Sequence, residues 1–284
     1  MTEAVVERGL GELFELELLG GSFERRYRKL RPEVAAMPWG TIDTRSCGES
    51  ELIVARKAWT GAAFQEHRTG IACAATLRAL IEARAPLDLI ALAARFPLDE
   101  LVHVELCARM AMELGGGTEI VHDPRAMVLD AAPDQSALMR AAELVVRFFC
   151  VGEALSIPLL RGTWHAARHP LPRAVLGCIV RDEAAHGTFG FTFLDWAAPQ
   201  LSASDLVCLG AAADLAIASI VAQWRDLASR PKRMASEGDV LAWMQTDAYL
   251  QLAARSMDSK VLEPLRTRGL PLASFPHGAA HTAL

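Results

Sequence analysis

RDEAAHGTFG, residues 181–190, places an Asp-Glu pair three residues ahead of a histidine. The neighbours Ile179, Val180 and Phe189 are of the kind a buried helix carries. On an α-helix, residues i and i+3 share a face, so Glu183 and His186 can grip one ion. LDELVHVELC, residues 98–107, repeats the pattern with Glu100 and His103, among Leu101, Val102 and Val104. The chain has no other Asp-Glu pair. With apolar neighbours on both sides, a solvated charged face does not explain either string. Buried carboxylates without a metal would cost several kcal/mol each, or would have to stay protonated. A third Glu-x-x-His, Glu119 and His122, lies in a loop after Gly115-Gly116-Gly117 and lacks the preceding Asp. It reads as coincidence.

Working outward, the chain reads as all-α. A helix is expected from about Glu51 to Arg84, a turn at 85–88, and a second helical stretch over 88–114 that kinks or restarts at Pro97. A third helix runs from about Ser136 to His169, where HPLP ends it, and a fourth spans about 172–199. SASD at 202–205 caps a fifth helix reaching about Arg230, and a sixth covers roughly 238–265. The last twenty residues read as irregular, the first fifty as a helical preamble and loop, and no strand-like alternation is present. Three regions follow: an N-terminal extension (1–50), a four-helix core (51–199) and C-terminal helices packing on it (200–284).

A carboxylate with an imidazole suits iron, manganese or zinc. In a four-helix bundle a dinuclear site draws one Glu from each of two helices and a Glu-x-x-His from each of the other two. Height along the helices selects the lone glutamates. Glu66 lies 19 residues before Ala85 and Glu100 13 after Leu87, a mismatch of roughly 9 Å at ~1.5 Å per residue. Glu82 would sit too low and Glu51 too high. Glu153 lies 17 residues before Pro170 and Glu183 11 after Pro172, again a mismatch of about 9 Å, against roughly 24 Å for Glu143. The two halves thus repeat one design: Glu66 with Glu100 and His103, Glu153 with Glu183 and His186.

Composition narrows the classes. Apolar residues make up 52% of the 284 and aromatics only 6%, the excess being Ala and Leu, as packed helices require. A net charge of −5 gives no reason to expect nucleic acid or an acidic membrane surface as partner. No apolar run approaches 18 residues without a charge, and the acidic N-terminus lacks the basic-then-apolar order of a signal peptide. A cytoplasmic protein is expected. The six cysteines stand far apart with no Cys-x-x-Cys, which excludes a rubredoxin-like or zinc-ribbon module.

The strings DELVHVELCARMAMELGG and IVRDEAAHGTFGFTFLDW resemble helices two and four of the ferritin-like di-iron carboxylate superfamily, and Glu66 and Glu153 fit helices one and three. The resemblance covers about residues 51–199. It implies six ligands (Glu66, Glu100, His103, Glu153, Glu183 and His186), with Asp99 on His186 and Asp182 on His103 setting the imidazole tautomers. It also implies a cofactor of two iron ions, or manganese with iron, bridged by Glu100 and Glu183, with O2 as co-substrate. Several departures narrow it. No Tyr follows the first motif, where Cys107 stands four residues after His103, and a threonine one turn after Glu153 is missing. The position four before Glu183 is Ile179, against an extra histidine ligand there. Pro158 deprives the carbonyl of residue 154 of its donor, which either opens a turn beside Glu153 or merely kinks the helix. Phe148, Phe149, Phe189, Phe193 and Trp196 line an apolar pocket or are plain core. His67, His165 and His169 read as surface or core.

The activity this implies is O2-dependent oxidation of a small organic substrate by hydroxylation, N-oxygenation or desaturation. Electrons would come from a separate reductase or ferredoxin, since the chain shows no flavin, nicotinamide or iron–sulfur signature. The alternative is a ferroxidase or iron-handling protein without organic substrate. The C-terminal helices would cover the site or build a homodimer interface.

Overall fold

The computed structural model describes residues 11–127, 129, 135–230 and 244–273, and they are predominantly helical. Helix α1 (Gly21–Leu30) and the short α2 (Glu33–Ala36) precede α3 (Glu49–Glu82), after which Arg84 takes a left-handed φ of 53°. Next come α4 (Leu87–Ala93) and α5 (Phe96–Glu113), separated at Ala94 and Arg95. The restart expected at Pro97 therefore falls ahead of it. Proline lacks an N–H and fits the first turn of α5, where no intrahelical acceptor is needed. Beyond α5 the chain turns at Gly115 and Gly116, with φ of 106° and 117°.

The third long helix is continuous but not uniform. Its first part, α6 (Ala137–Leu144), passes through a π-helical segment (Val145–Glu153) into α7 (Ala154–Ala166). Helix α8 (Pro170–Ala197) starts earlier than its sequence pattern indicates, because both prolines fit a first turn and His169 Nδ1 accepts from the Leu171 N–H at 3.2 Å. Ser202 and Asp205 form a capping box at the start of α9 (Ala203–Ser229). Helix α10 (Thr246–Ser256), a second π segment (Met257–Leu262) and α11 (Glu263–Thr267) complete the described residues. The expected start of this last helix near 238 lies outside them, as does most of the stretch read as irregular.

One reading needs correction. A pair of two-residue strands, β1 (Glu12–Leu13) and β2 (Val121–His122), joins antiparallel with Glu12 opposite His122. They are too short to leave an alternation in the sequence. Helix α9 is long and apolar enough to cross a membrane by length and composition alone, although Asp214 interrupts its apolar run. It packs on the π segment through a face that includes Leu209, Ala213 and Ile217, all buried, and Asp214 accepts from the Ala273 N–H.

Helix α3 lies along α5, α7 and the π segment lie along α8, and α5 touches α8. Two apolar clusters fill the interior. One gathers Trp59, Ala63, Val102, Leu106 and Ile179; the other gathers Cys73, Phe96, Phe149, Phe189 and Phe193. On α3, α5 and α8 the chain passes from one cluster to the other across Glu66, Glu100 and Glu183. The polar residues thus occupy the level where the two clusters meet.

Close approach at that level depends on Gly190. A Cβ there would lie 2.7 Å from Cys150 Sγ and 2.9 Å from the Cys150 backbone nitrogen in the π segment. Gly190→Ala gains ~1 kcal/mol of helix propensity and costs ~1–3 kcal/mol in overpacking. A net destabilisation of up to about 2 kcal/mol is expected in urea unfolding. An unchanged midpoint would show that α8 and the π segment can part freely.

Candidate metal centre

Four helical stretches bring the six residues to one place. One donor atom from each of Glu66, Glu100, His103 and Glu183 lies within 4.8 Å of the others, and the same holds for Glu100, Glu153, Glu183 and His186. Glu100 and Glu183 belong to both groups, so each carboxylate can span two ions. Glu66 and His103 serve only one group, Glu153 and His186 only the other. Five of the six are buried, and Glu66 is half-buried. The imidazoles turn Nδ1 inward: His186 Nδ1 is 3.0 Å from Glu100 Oε1 and 3.0 Å from Glu183 Oε2, and His103 Nδ1 is 3.3 Å from Glu183 Oε1.

The donor set fits metal ions on a direct test. Both Glu100 oxygens, Glu183 Oε2 and the inward Nδ1 of each histidine are buried without a hydrogen-bond partner. So many unsatisfied polar atoms in one spot are costly in a folded protein unless something else satisfies them. Two divalent cations would do so, with three or four oxygen and nitrogen donors each.

Behind the histidines the arrangement is crosswise. His103 Nε2 faces Asp182 Oδ2 at 3.5 Å, and His186 Nε2 faces Asp99 Oδ2 at 3.5 Å. Two arginines then tie the aspartates together. Arg31, buried between α1 and α2, donates from Nη1 to Asp99 Oδ1 at 2.6 Å and from Nη2 to Asp182 Oδ2. Arg95 donates from Nε to Asp99 Oδ1 at 3.2 Å and from Nη2 to Asp182 Oδ1 at 3.0 Å. Arg95 precedes Asp99 by four residues, so its pairing can be read from helical spacing. Arg31 lies 68 residues from Asp99 and 151 from Asp182, and nothing in its local sequence marks it. Phe96, whose ring centroid is 4.2 Å from that of His186, is likewise unmarked. Ser156 Oγ lies 3.2 Å from Glu153 Oε2 and 3.0 Å from the Glu153 carbonyl oxygen, so its hydroxyl can donate to either.

Other candidates lie elsewhere. Glu82 pairs with Arg78 and Arg140, and Glu143 with Arg147. His122 packs its ring on Phe14 and Phe64, His67 packs on Phe14, and Trp164 stacks near His165. Phe149, Phe189 and Phe193 are core, Trp196 is partly buried against it, and Phe148 lines a cavity. Glu33, Cys178 and Asp182 also lie together, but Arg31 engages both of those carboxylates. Compared with known proteins, the chain matches no protein-family model and no curated protein significantly.

Burial and the neighbouring carboxylates Glu100 and Glu183 push the Glu66 and Glu153 carboxyls well above the usual range. Burial works against charge on the two imidazoles, but their carboxylate neighbours outweigh it. Asp182, Glu100 and Glu183 hold His103 well above its ordinary pKa, and Asp99, Glu100 and Glu183 push His186 up to about 12. At neutral pH the metal-free centre therefore keeps protons where ions would bind, and each bound proton must leave as a metal enters. Raised pKa values mean that lower pH favours the protonated, metal-free form. Apparent Fe(II) or Mn(II) affinity should rise at least about tenfold per pH unit between pH 6 and 8, read by competition with a chromogenic chelator. A flat profile would contradict the proton-filled centre.

Arg31→Leu leaves the buried Asp99 and Asp182 with the half-exposed Arg95 and the histidine Nε2 groups alone, a loss of about 3 kcal/mol in chemical denaturation. Arg31→Lys should recover part of it, since an ammonium cannot span both carboxylates with the fork of a guanidinium. Equal stability of all three proteins would mean that the aspartates are satisfied without Arg31.

Proposed function

We propose that the chain is a ferritin-like di-iron oxygenase or oxidase that uses O2 to oxidise a small organic substrate. The observation that carries this reading is the shared membership of Glu100 and Glu183 in both donor groups. It gives a paired-ion cage of four carboxylates and two imidazoles, the donor set of carboxylate-bridged di-iron centres. Two iron ions held there would supply O2 reduction and the oxidising equivalent passed to the substrate.

The chain's own residues then have distinct tasks. Glu100 and Glu183, which belong to both donor groups, would hold both ions. His103 with Glu66, and His186 with Glu153, complete one end each. Asp182 and Asp99 accept from the Nε2–H of His103 and His186, which leaves Nδ1 free to ligate. Arg31 and Arg95 hold both aspartates in place through their hydrogen bonds. Phe96, Phe149 and Phe189 pack on the His186 side and exclude water there. Ser156 steadies Glu153 through its carboxyl oxygen. For a hydroxylation or N-oxygenation, one oxygen atom of O2 enters the substrate and the other leaves as water. Two electrons and two protons from a separate reductase or ferredoxin balance the step.

Anaerobic loading with Fe(II), followed by desalting, should leave two irons per chain, and Glu153→Ala should leave at most one. Zero or one iron in the unmodified protein would overturn the di-iron reading. Two irons with O2 consumption that no organic compound accelerates would transfer it to ferroxidase chemistry.

A further inference from the structure

A cavity of about 570 Å³ opens over the seam between α3 and the π segment, within the range that holds a small organic molecule. Gln65 and Thr69 line it from α3, on either side of Glu66 in sequence; Phe148 and Gly152 line it from the π segment, just ahead of Glu153. The cavity thus lies against the two stretches of helix that carry the unshared glutamates of the centre. None of the six cluster residues lines the cavity itself, but Gln65 and Gly152, which do, are the immediate chain neighbours of Glu66 and Glu153. A Cβ built at Gly152 meets only the Arg147 carbonyl oxygen, at 3.7 Å.

The lining is two-sided in chemistry. Helix α9 supplies an apolar wall with Leu215, Ala216 and Ile220, and Met127 and Leu129 add to it from the loop before α6. Three charged side chains line the cavity, Arg68 from α3, Glu143 from α6 and Arg147 from the π segment. Arg147 pairs with Glu143 at 3.3 Å, and the two cancel. Among the described residues Arg68 has no carboxylate partner; its Nη1 donates to the neutral Gln65 Oε1 at 2.9 Å. The cavity therefore carries one uncompensated guanidinium beside an apolar wall. A guanidinium presents two parallel N–H groups that match a carboxylate.

We infer that this cavity is the substrate site and that it takes an amphipathic carboxylic acid, with the head on Arg68 and the apolar body along α9. The inference rests on the reading of the six-residue cluster as the place of oxidation. It also gives the C-terminal extension a task, since α9 forms the outer wall of the site.

Octanoate and octanamide, which share an apolar chain and differ in head charge, test it by calorimetric titration of the full-length protein. The iron-free protein is used first, so that no acid can bind through iron. Octanoate is expected to bind at least fivefold more tightly than octanamide. Arg68→Gln should bring the two within twofold, and Arg68→Lys should restore part of the difference. Ser219→Trp, at an exposed position of α9 that lines the cavity, should weaken both probes at least tenfold. Folding of each variant is checked by its unfolding midpoint. Equal binding of the two probes by the unmodified protein would overturn the inference, as would binding of neither, or a preference for octanoate that survives Arg68→Gln. Iron stoichiometry is read separately. Loss of the preference with two irons retained sinks only the substrate assignment, whereas zero or one iron sinks the di-iron reading and leaves the cavity as an acid-binding site.

Discussion

The constraint on which the structure depends is the burial of charge at its centre. Four glutamates, two aspartates and two histidines meet in an interior otherwise made of Leu, Val, Phe and Ala side chains. An unpaired buried carboxylate costs several kcal/mol, so nearly every contact around the centre can be read as a way of satisfying it. The histidines sit between glutamates on one side and an aspartate on the other. The aspartates are in turn joined by Arg31 and Arg95. The unsatisfied glutamate oxygens and the imidazole Nδ1 atoms face the space between Glu100 and Glu183, where cations would complete the balance.

The two halves of the chain contribute alike, yet the centre is not symmetric. Glu66 on α3 is half-buried, whereas Glu153 is enclosed at the end of a π-helical segment. A π turn admits an extra residue and shifts side chains around the helix axis, and here it ends at a residue of the cluster. Pro158, one turn on in α7, withholds a donor from the carbonyl of residue 154, so irregular backbone flanks Glu153 on both sides. Gly190 lets α8 approach that irregular stretch closely.

The segments outside the four long helices have separate effects. The N-terminal region sends Arg31 across to both aspartates, so its docking and the alignment of the two Asp-Glu motifs depend on the same ion pairs. The C-terminal region lays α9 over the π segment. Its exposed face retains large apolar side chains such as Val207 and Leu215, while its buried face is built of Leu209, Gly210, Ala213 and Ile217. Gly210 permits close contact with Pro271, whose carbonyl oxygen would lie 2.3 Å from a Cβ at that position.

What the sequence determined by itself was periodic or local. Helical spacing put each Glu and His of the two motifs on one face, and the smallest height mismatch above two turns selected Glu66 and Glu153, residues the structure brings together. Caps and breakers placed the helix ends within a few residues, because Ser202, Pro170 and Gly115 act through their own backbone. What only the tertiary structure decided has no local period. Arg31 acts over 151 residues of separation. The π segment arises from an α-like pattern, and the cavity exists only where α3, α9 and the π segment converge. Such features depend on how helices pack against one another, and a side chain's distant partner leaves no trace in the residues beside it.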